Sequence, residues 1–484
     1  MLRKLFAIWI AKSVIFIGKI LNKKTTSMPG VLALKICPNI IRILSKFIKK
    51  EIIVVCGTNG KTTVNNILCS FIENYRIDNC EKTIVVCNKF GANMPSGIVT
   101  SLIEKTNIFG KLSADYACFE IDEAYVTKIF DFLTPHVVVI TNLFRDQLDR
   151  YGEIDSAIKL IENALKKVKN SKLVLNADDP LIAEFGLEKF VIEKTDENIN
   201  LSEMDTESKH VFYSKEYSFK KKENIYYFGI DEKISDNMDE VREGRFCILC
   251  GSKMYYEYYH YGQLGKYFCE NCGYKCPEID FAAKDIVFGE SFKINEKVVK
   301  FLRWGIYDIY NVLAALSAIS VCGIQVDFLK VHYPFQLGRM EEIGLNNMRV
   351  FLNLSKNPAG FNQAIHTILK KEEFKSIIIV INDNVNDGKD VSWIWDVDFE
   401  KLNNDKICFI GVAGSRFYDV ALRFKYSEIA VDYFSEDIKQ TICESFKSRA
   451  EVCYILVNYT ALFTTRNIIL EIRNNFNKNE LKCC

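Results

Sequence analysis

Gly57-Thr58-Asn59-Gly60-Lys61-Thr62-Thr63 follows directly on the apolar, mostly β-branched run Ile52-Ile53-Val54-Val55-Cys56. A buried strand, a glycine-bracketed turn and a helix start, in that order, form a phosphate cradle. The glycines let backbone N–H groups approach an anion closely. The helix start adds free donors and the positive end of a dipole, Lys61 can reach β/γ-phosphates, and a Thr62 or Thr63 hydroxyl can hold Mg²⁺. Nucleotide binding is the expectation, with an ordinary βα turn as the bland alternative.

A second constellation lies in residues 245–277. Cys247-x-x-Cys250 and Cys269-x-x-Cys272 are separated by 18 residues, and Gly251 and Gly273 follow the two pairs. This is the spacing of a four-cysteine zinc ribbon, and glycine there permits the knuckle turn. Four thiolates leave no open position for water, so the predicted role of Zn²⁺ is structural. Cys276 is a spare that could replace a ligand; four unpaired buried thiols are the alternative. The tyrosine-rich stretch 255–261 has few interleaved basic residues, which favours ribbon packing or a protein interface over base stacking.

These groups need elements to carry them. Between residues 51 and about 233, strand and helix patterns alternate as in a doubly wound parallel sheet, with strands expected at 51–56, 83–87, 116–121, 136–141 and 172–175. Ligands of such sheets sit at the strands' carboxyl ends. Those ends carry Glu120-Ile121-Asp122-Glu123, then Thr141-Asn142 followed by Arg145-Asp146-Gln147-Leu148-Asp149-Arg150, then Asn176-Ala177-Asp178-Asp179-Pro180. Carboxylates beside a phosphate cradle suit Mg²⁺. Helix N-capping is the competing role, for Asp178 or Asp155 in particular.

The chain has 484 residues, 49% of them hydrophobic, with 63 Lys+Arg against 62 Asp+Glu. That describes a globular protein of several domains with no net field to gather nucleic acid. Its 17 cysteines, several in buried-looking strands, fit a reducing cytosol better than a disulfide framework. Residues 5–20 are mostly apolar, but Lys12 and Lys19 interrupt them and no small-residue cleavage site follows. An amphipathic helix is expected there, packed on the protein's own core or lying on a membrane surface, and broken at Met28-Pro29-Gly30.

Taken together, GTNGKTT, the strand ending in Glu120, TNLFRDQLDRYGE, NADDP, GIYDIYNVLAA (305–315) and GRMEE (338–342) resemble, in this order, the Mur ligase superfamily of ATP-dependent amide-bond-forming enzymes. The resemblance implies an α/β architecture: an N-terminal helical segment (1–48), a P-loop ATPase domain (49–328) with the zinc ribbon inserted at about 243–280, and a smaller α/β C-terminal ligase domain (329–484) that closes over it. It implies an acyl phosphate attacked by an amine. By position, Gly57, Thr58, Asn59, Gly60, Lys61, Thr62 and Thr63 would bind ATP, Thr62 and Glu120 would serve Mg²⁺, Asn311 would contact adenine, and Arg339 would reach the nucleotide. Two departures stand out: Gln147 replaces the family's metal-linked histidine, leaving the number of Mg²⁺ ions open, and the family's modified lysine has no counterpart in register, although Lys159 is close.

A ribbon in the ATPase domain is similar to one branch of the superfamily, the MurT subunits of lipid II isoglutaminyl synthases. Ser355-Lys356-Asn357-Pro358-Ala359-Gly360-Phe361-Asn362 and the polar segment 382–396, after an apolar strand at 376–381, carry the same resemblance, as do Met28-Pro29-Gly30 and Cys37-Pro38-Asn39. A carboxylate at that strand's carboxyl end could orient or deprotonate an incoming amine or ammonia, Asp390 first and Asp387 second, unless the segment is an ordinary surface turn. The branch implies amidation of the D-glutamate α-carboxyl of the lipid II stem peptide in peptidoglycan synthesis. Ammonia would come from a separate GatD-type glutamine amidotransferase in a heterodimer, since none of the five histidines sits in a Cys–His arrangement. A cytoplasmic protein, peripheral at the inner membrane face, is implied. Two other readings stay open: a Mur-type ligase that adds an amino acid, as in folylpolyglutamate synthesis, and a non-catalytic ATP-binding or zinc-ribbon interaction protein.

Overall fold

The apolar run Ile52–Cys56 (β1) is buried throughout, because it lies inside a nine-stranded sheet. The computed structural model describes residues 2–21, 26–74, 83–88, 92–145, 154–193, 215–234, 243–300, 305–325, 338–345, 348–384 and 387–477. The chain divides into two units, Met1–Leu143 with Leu160–His332, and Phe144–Lys159 with Tyr333–Cys484.

In the first unit, the helices α1 (Leu2–Ile20), α2 (Met28–Ile36) and α3 (Ile40–Ser45) precede β1. The first helix ends at Ile20, ahead of Met28-Pro29-Gly30; that tripeptide does not break it but opens the second helix, with Pro29 in the first turn where a missing N–H costs no hydrogen bond. A Cβ on Gly30 would fall 1.8 Å from the Ser96 carbonyl oxygen, so only glycine allows α2 to lie this close to the later helix Pro95–Glu104. Among the described residues no helix is long and apolar enough to cross a membrane.

After β1 come α4 (Lys61–Asn74), β2 (Val85–Cys87), α5 (Pro95–Glu104), β3 (Tyr116–Glu120), α6 (Glu123–Ile129), β4 (Val137–Ile140), α7 (Ile154–Leu165), β5 (Lys172–Asn176) and the single turn α8 (Pro180–Ala183). A hairpin of β6 (Leu187–Glu193) and β7 (Lys215–Lys221) leads to β8 (Ile225–Ile230). Then follow β9 (Tyr255–Tyr261), β10 (Leu264–Phe268), β11 (Phe281–Val287), β12 (Ser291–Ile294), β13 (Lys297–Lys300) and α9 (Ile306–Val321).

The sheet order is β13-β12-β11-β8-β5-β4-β1-β3-β2. Within this sheet every neighbouring pair from β11 through β8, β5, β4, β1 and β3 to β2 is parallel, whereas β12 and β13 pair antiparallel. The parallel sheet expected over residues 51–233 is present, and the sheet continues past residue 233 and becomes mixed there. The ribbon occupies the β8-to-β11 crossover, and two short turns then add an antiparallel edge. Near-complete burial of α9 follows from its being apolar almost all round.

The second unit has the sheet order β14-β15-β19-β16-β17-β18, from β14 (Glu341–Leu345), β15 (Met348–Leu354), β16 (Lys375–Val380), β17 (Ile407–Ala413), β18 (Tyr433–Phe434) and β19 (Val452–Val457). Only β14–β15 is antiparallel. Helices α10 (Pro358–Leu369), α11 (Phe417–Tyr426), α12 (Ile438–Ser445) and α13 (Tyr459–Asn477) complete it. Alternate residues of β16 enter opposite cores, Ile377 and Ile379 with Phe361 and Ile394, Ile378 and Val380 with Ile455 and Ile469.

Candidate functional site

The loop between β1 and α4 is shaped by the end of β4. Thr58 N–H donates to the Asn142 carbonyl at 2.8 Å, Asn59 N–H to Asn142 Oδ1 at 2.8 Å, and the Thr141 hydroxyl to the Asn59 carbonyl at 2.7 Å. Gly57 has φ +117° and a Cβ there would lie 2.4 Å from Thr141 Oγ1. Gly60 has φ +85° and a Cβ there would lie 2.1 Å from Asn311 Oδ1. Both glycines are thus required by backbone angle and by space. Asn311, on α9, is thereby placed beside the cradle.

Lys61 is buried, and Nζ donates to the Thr58 carbonyl at 3.2 Å, to the Gly57 carbonyl, and to Glu123 Oε2 at 3.1 Å. Thr63 is buried and Thr62 half-buried in the same first turn. Glu120, at the end of β3 in register with Val55, is buried; its N–H donates to Asn88 Oδ1 at 2.9 Å and its carbonyl accepts from Asn88 Nδ2 at 2.7 Å. The buried cradle, its ammonium and this carboxylate fit a nucleotide polyphosphate with Mg²⁺.

Not all strand-end acids belong to that group. Asp122 caps α6 through Ala124 N–H, and Asp179, rather than Asp178, caps α8 through Leu181 N–H. Asp178 accepts from Ile230 N–H at 2.8 Å and from the Tyr310 hydroxyl at 2.6 Å. Asp179 also takes Leu143 N–H at 2.9 Å. Burial pushes both carboxyls up to about 7. Asp155 lies in the first turn of α7, and Lys159 on that helix is exposed. Asp146-Gln147-Leu148-Asp149 lies outside the described residues.

The four cysteines converge. Cys247 and Cys272 sulfurs are 3.6 Å apart, those of Cys250 and Cys269 are 3.5 Å apart, and all four lie within 4.8 Å of one another. A tetrahedral zinc with Zn–S of about 2.3 Å puts sulfurs about 3.8 Å apart, so the set fits such an ion. The two knuckles match: Gly251 N–H donates to the Cys247 carbonyl at 2.8 Å and Gly273 N–H to the Cys269 carbonyl at 2.9 Å, each glycine at φ +73°. Cys276 is outside the cluster; its thiol donates to the Ala177 carbonyl at 3.4 Å. The tyrosine stretch is β9, paired with β10, and Tyr261 packs edge-on to Tyr310, as expected of a ribbon packed on its own domain.

In the second unit the acidic loop follows β16, as expected. Asn382 N–H donates to Asn458 Oδ1 at 3.1 Å, and Ser415 N–H to Asn382 Oδ1 at 3.0 Å, tying the carboxyl ends of β16, β17 and β19 together. Asp387 is buried; it accepts Thr460 N–H at 2.8 Å and the Thr460 hydroxyl, at the start of α13. Burial raises its pKa. Asp390 is half-exposed and accepts Ser392 N–H at 2.8 Å. That bond lowers its pKa, as do the Ser392 side chain and the charge of Arg145. Arg145 itself lies 3.4 Å from Asp396. Arg339 donates to the Leu354 carbonyl at 3.4 Å, and in the same motif Glu341 is buried, taking Gly338 N–H at 3.0 Å and Arg466 at 2.7 Å. Asn357 caps α10 through Gly360 N–H at 2.9 Å.

The profile of the Mur ligase middle domain matches residues 55–272, and that of the MurT ligase C-terminal domain matches residues 354–462. A Staphylococcus aureus protein named lipid II isoglutaminyl synthase (glutamine-hydrolyzing) subunit MurT is 30% identical over 468 residues, covering 95% of this chain and 96% of that protein. The chain belongs to the MurT family of Mur ligases, ATP-dependent enzymes. The protein of the same name from Streptococcus pneumoniae is also 30% identical, with 92% of each chain covered. In fold, the chain is similar to a pseudomurein peptide ligase type C from Methanothermus fervidus, with TM-score 0.64, 23% identity, and 89% and 80% of the chains covered.

Within this MurT-family chain the structure adds Asn88, which the sequence did not single out, and gives particular roles to Glu123, Thr141 and Asn142, which it named only as strand-end residues. Glu123 holds the cradle lysine, Thr141 and Asn142 mould the loop, and Asn88 anchors Glu120. Glu123 was visible within an acidic strand end; nothing local distinguished it from Glu120.

Proposed function

We propose that this chain is the ligase subunit that converts the α-carboxyl of D-glutamate in the lipid II stem peptide to the amide of D-isoglutamine. The carrying observation is similarity along nearly the whole chain to proteins named lipid II isoglutaminyl synthase subunit MurT. The buried cradle of Gly57 to Thr63 holds the ATP phosphates, with Lys61 exchanging Glu123 for phosphate oxygens. Thr62 and Glu120 are the residues to hold Mg²⁺, which supplies charge neutralisation when bound. Asn311 contacts the adenine and Arg339 the nucleotide.

The γ-phosphoryl group passes to the carboxylate and ADP leaves. Ammonia then attacks the acyl carbon, phosphate departs with the bonding pair, and a proton is lost from nitrogen. Asp390, kept ionised by Ser392, orients the incoming ammonia and takes that proton; Asp387 shapes the loop. A separate GatD-type amidotransferase supplies ammonia, in keeping with the words "glutamine-hydrolyzing" and "subunit" in the relatives' name. The four cysteines hold structural zinc. A lipid-linked substrate places the cytoplasmic enzyme at the inner membrane face as a peripheral protein.

Mass spectrometry of lipid II incubated with ATP, Mg²⁺ and ammonium, and with glutamine plus the amidotransferase, tests this. Exchange of carboxyl OH for NH₂ is expected in both mixtures. Growth by an amino-acid residue would replace the proposal with an amino-acid-adding ligase, and absence of ATP turnover with substrate and partner present would favour a non-catalytic role.

A further inference from the structure

Helix α1 is apolar on two opposite faces. Ala7, Ile8, Ala11, Ile15 and Gly18 are buried, whereas the bulkier Leu2, Phe6, Trp9, Phe16, Ile17 and Ile20 are between 51% and 85% exposed. At 3.6 residues per turn each set fills an arc of about 100°, and the two arcs are centred on opposite sides of the helix. Three of the five inward side chains are thus Ala or Gly, whereas every aromatic residue of the helix faces outward, the reverse of what core packing alone selects. Arg3 falls on one border of the outward stripe, and Lys12 and Lys19 fall on the other.

A loop tip extends the stripe. Trp9 Nε1 donates to the Ile108 carbonyl at 2.7 Å, and Ile108 and Phe109 are 59% and 80% exposed. The N-terminal segment itself carries charge of one sign: residues 1–50 contain 11 Lys+Arg and no Asp or Glu, leaving 52 basic against 62 acidic residues in the remainder. A basic end on an otherwise acidic protein complements an anionic surface. Bulky apolar and Trp side chains bordered by Lys and Arg are the pattern of a helix lying in a bilayer interface.

We infer that the outward face of α1, with the Ile108-Phe109 tip, is a docking surface for an anionic phospholipid bilayer, entered by Phe6, Trp9, Phe16 and Phe109 while the basic residues meet headgroup phosphates. The inference deepens the proposed localisation and takes its biological direction from that reading, but it stands on this face alone.

The full chain is sedimented with phosphatidylglycerol-rich and with pure phosphatidylcholine vesicles, alongside a Phe6→Glu/Phe16→Glu variant whose melting temperature certifies folding. Wild type binds the anionic vesicles at least ~10-fold more tightly than neutral ones, the variant loses that binding, and added salt weakens it. Trp9 emission shifts to the blue on binding, and a Trp9→Phe chain lacks the shift. Absence of binding to the anionic vesicles, or undiminished binding by the variant, overturns the inference. Self-association that the variant abolishes, without vesicle binding, also overturns it and makes the face a protein contact. Vesicle binding with no amidation of lipid II leaves the surface standing and removes the proposed reaction.

Discussion

Lys61 Nζ lies 3.1 Å from Glu123 Oε2, and both side chains are only 6% exposed. The cradle's cation is therefore neutralised inside the protein before a nucleotide arrives. Breaking such a buried pair from one side costs about 3–5 kcal/mol. Glu123→Gln should lower the melting temperature without nucleotide and enlarge the rise that ATP produces, because the polyphosphate then meets an unneutralised ammonium. An equal ATP-induced rise in both proteins would argue against the exchange. Lys61→Ala should reduce ATP turnover by about 100-fold or more.

The knuckles give a metal prediction. Purified protein should hold one zinc per chain by elemental analysis, and Cys250→Ser should lose it and melt earlier, since four-thiolate sites contribute directly to folding. Cys276→Ser should retain the metal, because its thiol bonds to Ala177 rather than joining the cluster. Loss of zinc in that variant would place Cys276 among the ligands.

Asp390 and Asp387 should separate by readout. Asp387 accepts two hydrogen bonds from Thr460, so Asp387→Asn should chiefly lower stability. Asp390→Asn should lower amidation by about 100-fold with little change in melting, as expected for loss of a positioned proton acceptor. Full amidation activity in Asp390→Asn would exclude that role.

Asp178 and Asp179 predict a pH effect. Burial raises each to about 7 from an ordinary carboxylate value, so the folded state binds more protons than the unfolded chain between those limits. Their contribution is complete below the unfolded value and is lost as pH rises through about 7. Melting temperature measured from about pH 5 to 8 should fall less steeply in Asp178→Asn than in wild type, the asparagine oxygen still accepting from Ile230 and Tyr310. Identical slopes would show that Asp178 binds the same number of protons in the folded and unfolded states across that range.

What was legible in sequence was what neighbouring residues encode together. The strand, glycines and helix start of the cradle are consecutive, each knuckle spans a few residues, and the polar loop after Lys375–Val380 follows from a strand simply ending. Such features depend on local backbone geometry, and the expected strands accordingly differ from the observed ones by only a residue or two at their ends. Tertiary structure decided the rest, because it concerns partners remote in sequence. Glu123 finds Lys61 across 62 positions, Thr460 finds Asp387 across 73, and Asn311 meets Gly60 only when α9 packs beside the cradle. The same holds for the strand-end acids: by composition Glu120, Asp178 and Asp179 are alike, but folding against Ile230, Tyr310 and Leu143 turns the latter two into anchors. The hydrophobic pattern of residues 5–20 announced an amphipathic helix and left open whether its apolar side met the protein's own core or a membrane surface. Only the packing of Ala7, Ala11 and Gly18 inward determined that Phe6, Trp9 and Phe16 face out.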